Sequence, residues 1–389
     1  MPTPADPEAA PSLAEIAREW TRIGCTGFGG PPTHIAMLHA LCVERRGWLD
    51  ETQFEHALAA TNLLPGPSST QLAIYCAWRL RGTAGALLGG ACFIVPGLLA
   101  ILALSVLFLA GSPPDWARGA GLGAGSAVAA VAARVGGELA LSIWRRARGR
   151  GLRARIALYS LAGAAAAALA GPWLVLVLLA CGAIELGRRR LAGELPLMGF
   201  GWALPAAIAA TGDFGALAWT ALKVGALAFG GGFVIVPLME ADAVGAHHWM
   251  THAQFLNAVA LGQITPGPLV QTVAAVGYAE GGIGAGLLAA LIAFAPSFSF
   301  VLVGADRFER LLADARIRAF LAGAAPATAG AIVGAAIPLA RALSEGWQYA
   351  LLAASAIALI ALRRSIVLTL LGAGAIGSLV ALLGGPLPA

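Results

Sequence analysis

The sequence predicts an all-α polytopic membrane protein, organised as an inverted-topology internal repeat with broken or re-entrant helices. Three observations lead there. Of the 389 residues 59% are apolar and only 12% charged, and mean hydropathy is +0.80. A soluble domain carries roughly 25% charged residues, so about half of a water-facing surface is missing. Apolar runs succeed one another from about residue 16 to the C-terminus without the period-2 alternation of a β-barrel. Finally, a block of residues recurs in the same spacing 201 positions later.

The elements follow in order. Residues 1–15 are rich in Pro, Ala and acid and lack an apolar core, so they read as a tail and not as a cleavable signal. Segments 84–111 and 118–143 are long enough to span a bilayer alone. Others, such as 52–64 and 68–80, give helices of roughly 20 Å, short of the ~30 Å hydrocarbon core. These short segments come in pairs around Gly/Pro breaks. Each pair is either one broken spanning helix or a re-entrant hairpin.

The repeat matches Phe28-Gly29-Gly30 with Phe229-Gly230-Gly231, Trp48 with Trp249, Gln53-Phe54 with Gln254-Phe255, and Pro65-Gly66-Pro67 with Pro266-Gly267-Pro268, all without a gap. Arginines orient the copies. Arg45, Arg46, Arg79 and Arg81 flank the first Pro-Gly-Pro; their counterparts Ala246, His247, Glu280 and Gly282 include no Lys or Arg. Segment 156–187 has arginines at both ends, whereas segment 347–385 has them only at its tip, Arg363-Arg364. Cytoplasmic loops collect Lys and Arg, so the halves are expected in opposite orientation. The expected layout is a tail (1–15), a first repeat (16–190), a connecting segment (191–215, with 197–211 crossing) and a second repeat (216–389). The N-terminus is expected in the cytoplasm and the C-terminus in the periplasm.

Each Pro-Gly-Pro must end one helix and begin another, because proline cannot continue a helix and glycine permits unusual φ. A helix N-terminus inside a membrane offers unpaired N–H groups and partial positive charge, both of which favour an anion. The candidate anion site is therefore Pro65, Gly66, Pro67, Ser68, Ser69 and Gln71 from the first copy, with Gln263, Thr265, Pro266, Gly267, Pro268 and Gln271 from the second. The competing reading is a pair of structural kinks. Gly29, Gly30, Gly230 and Gly231 at the earlier breaks are expected either to donate N–H groups or to let helices pack closely. Lys223 is a candidate counter-charge. His34 reads as a packed or hydrogen-bonded histidine, Arg134 and Glu138 as an i, i+4 pair, and Glu240 and Asp242 as a loop edge.

Other classes find little support. The net charge of +5 comes from arginines between apolar segments, which speaks against nucleic acid. Five cysteines without CxxC spacing read as core residues. His247, His248 and His252 sit in a polar connector, so no metal is expected. Neither a GxSxG, an HExxH nor a Walker A loop is present, so no enzyme activity and no cofactor are expected.

Together, Phe28-Gly29-Gly30-Pro31-Pro32, Arg45-Arg46-Gly47-Trp48-Leu49, Asp50-Glu51, Gln53-Phe54 and Leu64-Pro65-Gly66-Pro67-Ser68 resemble the chromate ion transporter family. The second copy shows the same order, with Gly232 in place of the first proline. The resemblance covers about residues 15–305 and implies the long, two-domain form of the family. It implies an inner-membrane exporter of chromate driven by an ion gradient or the membrane potential. Expected partners are chromate or a similar oxyanion and the lipid bilayer, with a homodimer as the assembly to test. The alternatives are a transporter of sulfate or another oxyanion, an anion channel, and more remotely an intramembrane enzyme or lipid translocase.

Overall fold

A computed structural model describes residues 11–63, 66–109, 113–169, 174–191, 213–228, 233–304 and 314–387. Among them every regular element is helical. The first half runs α1 (Leu13–Thr26), α2 (Pro31–His39, continued by a π turn Ala40–Arg45), α3 (Glu51–Leu63), α4 (Ser68–Phe108), α5 (Asp115–Arg146), α6 (Arg150–Leu169) and α7 (Leu174–Leu191). The second runs α8 (Asp213–Leu227), α9 (Ile235–Glu240, continued by a π turn Ala241–Ala246), α10 (His252–Ile264), a 3-10 turn Leu269–Gln271 leading into α11 (Thr272–Gly304), α12 (Ala315–Arg341), α13 (Gly346–Ala356, continued by a π turn Ile357–Ala361) and α14 (Ile366–Leu382). Segment 197–211, the Gly171-Pro172 tip, Pro65, Gly230 and Gly231 lie outside the described residues.

The repeated motifs have local causes. Gln53 and Gln254 are helix caps: the Gln53 N–H donates to Asp50 Oδ1 (2.8 Å) and Asp50 N–H to Gln53 Oε1 (3.2 Å), and Thr251 and Gln254 exchange the same two bonds. Phe54 and Phe255, the next residues, are buried. The two π turns and the starts of α3 and α10 keep the 201-residue offset.

The long helices α4 and α11 are each two arms joined by a sharp turn. At Gly82 (φ 57°) and Gly282 (φ 74°) the backbone enters the left-handed region, which costs glycine nothing. Beyond the turn, Gly85 packs on the Ala77 carbonyl and Gly90 on Ile74. In a straight helix Gly90 and Ile74 would stand about 24 Å apart, so the second arm doubles back on the first. In α11, Gly277 and Gly286 pack likewise on Ala285 and Ala274. The sequence boundary between segments 68–80 and 84–111 falls on the first of these turns.

From Gln71 and Gln271 onward the offset drops to 200, as it does for Gly82 and Gly282 and for Pro96 and Pro296, so the counterparts of Arg79 and Arg81 are corrected to Ala279 and Gly281, which again include no Lys or Arg. The second copy has one residue fewer after its Pro-Gly-Pro. The tighter Leu269–Gln271 turn absorbs the difference, where the first copy is α-helical from Ser68.

The two halves interlock. The second arms of α4 and α11 meet with Gly90 against Phe298 and Gly286 against Leu102. These equivalent arms therefore run antiparallel, crossing near Pro96 and Pro296. Helix α5 packs on α14 through Gly119 with Gly377 and Gly123 with Ala373; α12 packs on α6 and α7 through Gly163 with Ala327, Gly330 with Ser160 and Gly323 with Cys181. Small residues line these seams because lipid supplies no hydrophobic drive between helices, so close backbone approach must supply the contact.

Among the described residues, α4, α5, α6, the stretch Leu269–Gly304 and α12 are long and apolar enough to cross a membrane. Large leucines such as Leu99, Leu161, Leu291 and Leu368 face outward, as a bilayer permits. Helices α3 and α10, 13 residues each, reach about 20 Å and cannot cross alone. The cysteine expectation needs one correction: Cys42, Cys76 and Cys181 are buried, but Cys25 is exposed.

Candidate functional site

Each Pro-Gly-Pro break packs against the arm of the other half near the point where the arms cross. Gly66 takes φ 116° and Gly267 φ 95°. A side chain on Gly66 would come within 2.6 Å of Gln71 Nε2 and 3.5 Å of Ser297 Oγ, and one on Gly267 within 3.1 Å of Gln271 Oε1. Each glycine is thus capped by the glutamine that follows it, and only glycine has both the φ and the room. The Pro266 carbonyl in turn lies against Gly97, so each break seats on the other half's crossing arm.

Pro67 and Pro268 occupy N-cap positions. The first N–H groups of a helix have no partner within it, so those of Ser68 and Ser69 point out of the end of α4. Ser68, Ser69, Thr70, Gln71, Gln271, Thr272 and Ser297 are buried around this point. Ser297 Oγ and Thr70 Oγ1 find no hydrogen-bond partner among the described residues. Buried hydroxyls without partners are costly, and a ligand that accepts hydrogen bonds would satisfy them.

Other predicted residues hold the site together. Thr265 Oγ1 donates to the Leu261 carbonyl (2.8 Å) and accepts from Gln271 Nε2 (3.0 Å), which also donates to the Pro266 carbonyl (2.8 Å). Gln271 is left with only an acceptor, Oε1, facing Gly267 and Gly97. Thr265 and Gln271 therefore shape the second break through bonds to each other and to its backbone. Gln263 is half-buried on α10, with its Nε2 shielded and unpartnered. Gly29 and Gly30 form the turn into α2 and lie toward the surface.

Two expectations are corrected. Lys223 is no uncommitted cation: its Nζ pairs with Asp242 Oδ2 at 2.5 Å, and Thr220 Oγ1 donates to the same oxygen at 2.9 Å. It also projects away from the break, because Gly225, whose carbonyl faces Gly66, lies about 200° around the helix from it. Glu240 and Asp242 are not a loop edge but are buried, at 7% and 6% exposure. Asp242→Asn leaves the part-buried Lys223 ammonium without its carboxylate and is expected to cost about 1–3 kcal/mol. The check is a thermal melt of the detergent-solubilised protein, and an unchanged midpoint would contradict the pairing.

Arg134 does pair with Glu138 (3.0 Å), and it also donates to the Arg364 carbonyl, tying α5 to the α13–α14 tip. His247 stacks on Trp249 and His252 pairs with Glu240.

Sequence reasoning missed two residues at the crossing. Gly97 and Ser297 follow Pro96 and Pro296, a proline repeat that was there to be read. His34, expected to be packed or hydrogen-bonded, is both, and it joins the halves. Gly27 carbonyl accepts from His34 Nε2 (2.9 Å) and from the Gly267 N–H (3.1 Å). A carbonyl only accepts, so Nε2 carries the proton and Nδ1 is left to accept from Ser69 Oγ (3.3 Å). The second break is thereby hydrogen-bonded, through Gly27 and His34, to the N-terminus of α4.

A duplicated all-helical membrane protein whose halves cross at paired helix N-termini, with unsatisfied hydroxyls at the crossing, is built as a membrane transporter. The chain belongs to the chromate transporter family: the family's sequence model matches residues 14–186 and again 215–378. It is 30% identical to the chromate transport protein of Cupriavidus metallidurans over 92% of both chains. It is 31% identical to that of Pseudomonas aeruginosa, covering 88% of this chain and 85% of the relative. An uncharacterised transporter of Methanocaldococcus jannaschii is 27% identical over 77% of this chain and 78% of its own. No solved structure matches the chain.

Proposed function

We propose that the chain exports chromate across the bacterial inner membrane as a secondary transporter, binding the oxyanion between the two Pro-Gly-Pro breaks. The observation that carries this reading is the pair of helix N-termini seated on the crossing arms, beside the hydroxyls of Ser297 and Thr70 that find no partner among the described residues. A tetrahedral dianion accepts hydrogen bonds on every oxygen, and helix N-termini supply N–H groups and positive potential without a fixed cation. No role as an enzyme is assigned, in keeping with relatives that are named transport proteins.

The halves are inverted with respect to the membrane, N-terminus in the cytoplasm and C-terminus in the periplasm. The antiparallel packing of the equivalent α4 and α11 arms supports this arrangement, since spanning arms that run antiparallel enter from opposite sides. Residues 16–190 and 216–389 are the two repeats and 191–215 the link. Alternating access is then a rocking of the halves about the crossing. Export of a dianion from a cell negative inside gains about 4–5 kcal/mol per 100 mV from the potential alone.

Chromate uptake into everted vesicles carrying the protein, with the potential clamped and sulfate as competitor, tests the proposal. Potential-dependent uptake that excess sulfate leaves intact supports a chromate exporter. Absence of uptake, or equal block by equimolar sulfate, overturns chromate as the substrate in favour of a general oxyanion.

A further inference from the structure

One interaction recurs in the two halves with its partners exchanged. In the first half His39, at the end of α2, meets Glu51, at the start of α3: Nε2 lies 2.9 and 3.0 Å from the two carboxylate oxygens. In the second half Glu240, at the end of α9, meets His252, at the start of α10, with Nδ1 3.3 Å from Oε1. Positions 39 and 240, and 51 and 252, match at the 201-residue offset of the repeat. Neither residue type is kept, yet the pair is. Acid and base have changed places across the same contact.

The place of the contact gives it meaning. Helix α2 starts at the Gly29-Gly30 turn and α3 ends at the first Pro-Gly-Pro, so the pair pins the far end of a hairpin whose other end is the crossing. The α9–α10 pair does the same for the second break. Around His39 the titratable groups are Glu51 and Glu44, the latter 3.2 Å from Nδ1, with the Phe54 ring beside it. Facing Glu240 is His252; the nearby Lys223 and Asp242 hold each other. Gly245 stands where Glu44 would be, so the second pair has one carboxylate where the first has two.

We propose that these pairs are ionic latches that position the Pro-Gly-Pro hairpins, each holding its half of the oxyanion site, and that the first of them holds while His39 is charged. Their placement on opposite faces of the membrane rests on the inverted arrangement proposed above. The Glu51 hydrogen bond, with the Glu51 and Glu44 charges, raises the His39 pKa from its usual value. A group raised on folding contributes fully below its ordinary pKa and loses that contribution as pH rises through the shifted one. Transport is therefore expected to fall on the alkaline side, by roughly two- to fivefold for a partly exposed pair.

The test uses full-length protein in vesicles, with pH set separately on each face. His39→Gln is expected to flatten the alkaline limb at a lowered rate, and the exchanged double variant, His39→Glu with Glu51→His, to restore both rate and limb. A His39→Gln profile identical to wild type overturns the latch, as does an exchanged variant that reaches the membrane at normal level without the limb. If His39→Gln fails to accumulate, the exchanged variant alone decides. If His39→Gln and His252→Gln alter the response to pH on one and the same face, the latch stands and the inverted arrangement falls.

Discussion

Gly97→Leu is expected to abolish chromate transport, while Gly372→Leu, an equal change on α14, leaves it intact. A Cβ at Gly97 would overlap the Pro266 carbonyl and Gln271 Oε1. The first is backbone, and the second is the end of an amide already held at two points by Thr265 and Pro266. Neither can yield without moving the second break off the crossing arm. Overpacking a tight contact costs about 1–3 kcal/mol, and here the strain falls on the geometry that joins the halves. At Gly372 a Cβ meets nothing within 4 Å. Vesicle uptake with membrane levels measured by immunoblot checks the pair, and wild-type uptake by Gly97→Leu would remove the crossing from the mechanism.

The second result expected is a separation of stability from affinity at Ser297. Its hydroxyl is fully buried and partnerless. Deleting an unsatisfied buried group leaves stability unchanged or slightly raised. A hydrogen bond to a charged ligand is worth about 1.5–3 kcal/mol, so Ser297→Ala is expected to raise the KM for chromate about tenfold or more. Thr265→Ala should behave in the opposite way, lowering the melting midpoint through the loss of two committed bonds. A Ser297→Ala variant with unaltered KM would show that the hydroxyl does not face substrate.

Much of this was legible in the chain. The all-helical membrane class follows from composition, because a polar surface cannot be made from 12% charged residues. The duplication follows from fixed spacing, and both Pro-Gly-Pro breaks from the backbone chemistry of proline and glycine. The Arg134–Glu138 pair was legible because i and i+4 share a helix face. Gln53 and Gln254 sit in the repeat as caps, and Asp50 and Thr251 three residues before them carry the spacing of a capping box, a signal that was there to be read. Side-chain roles at the breaks were not legible.

Lys223 shows the limit most clearly. Its charge in an apolar helix marks it as costly, but the Asp242 carboxylate that offsets the cost arrives from another helix, 19 residues on. His34 is the converse case, since its partners Gly27 and Ser69 matter only because Gly267 of the other half bonds to the same carbonyl. Sequence by itself determined the membrane class, the two copies and the places where helices must break, because each depends on local composition or backbone chemistry. Only the tertiary structure decided that each break packs on the other half, that equivalent arms cross antiparallel and which polar atoms find no partner among the described residues. Those properties depend on which surfaces the two halves press together, and no window of the chain contains both.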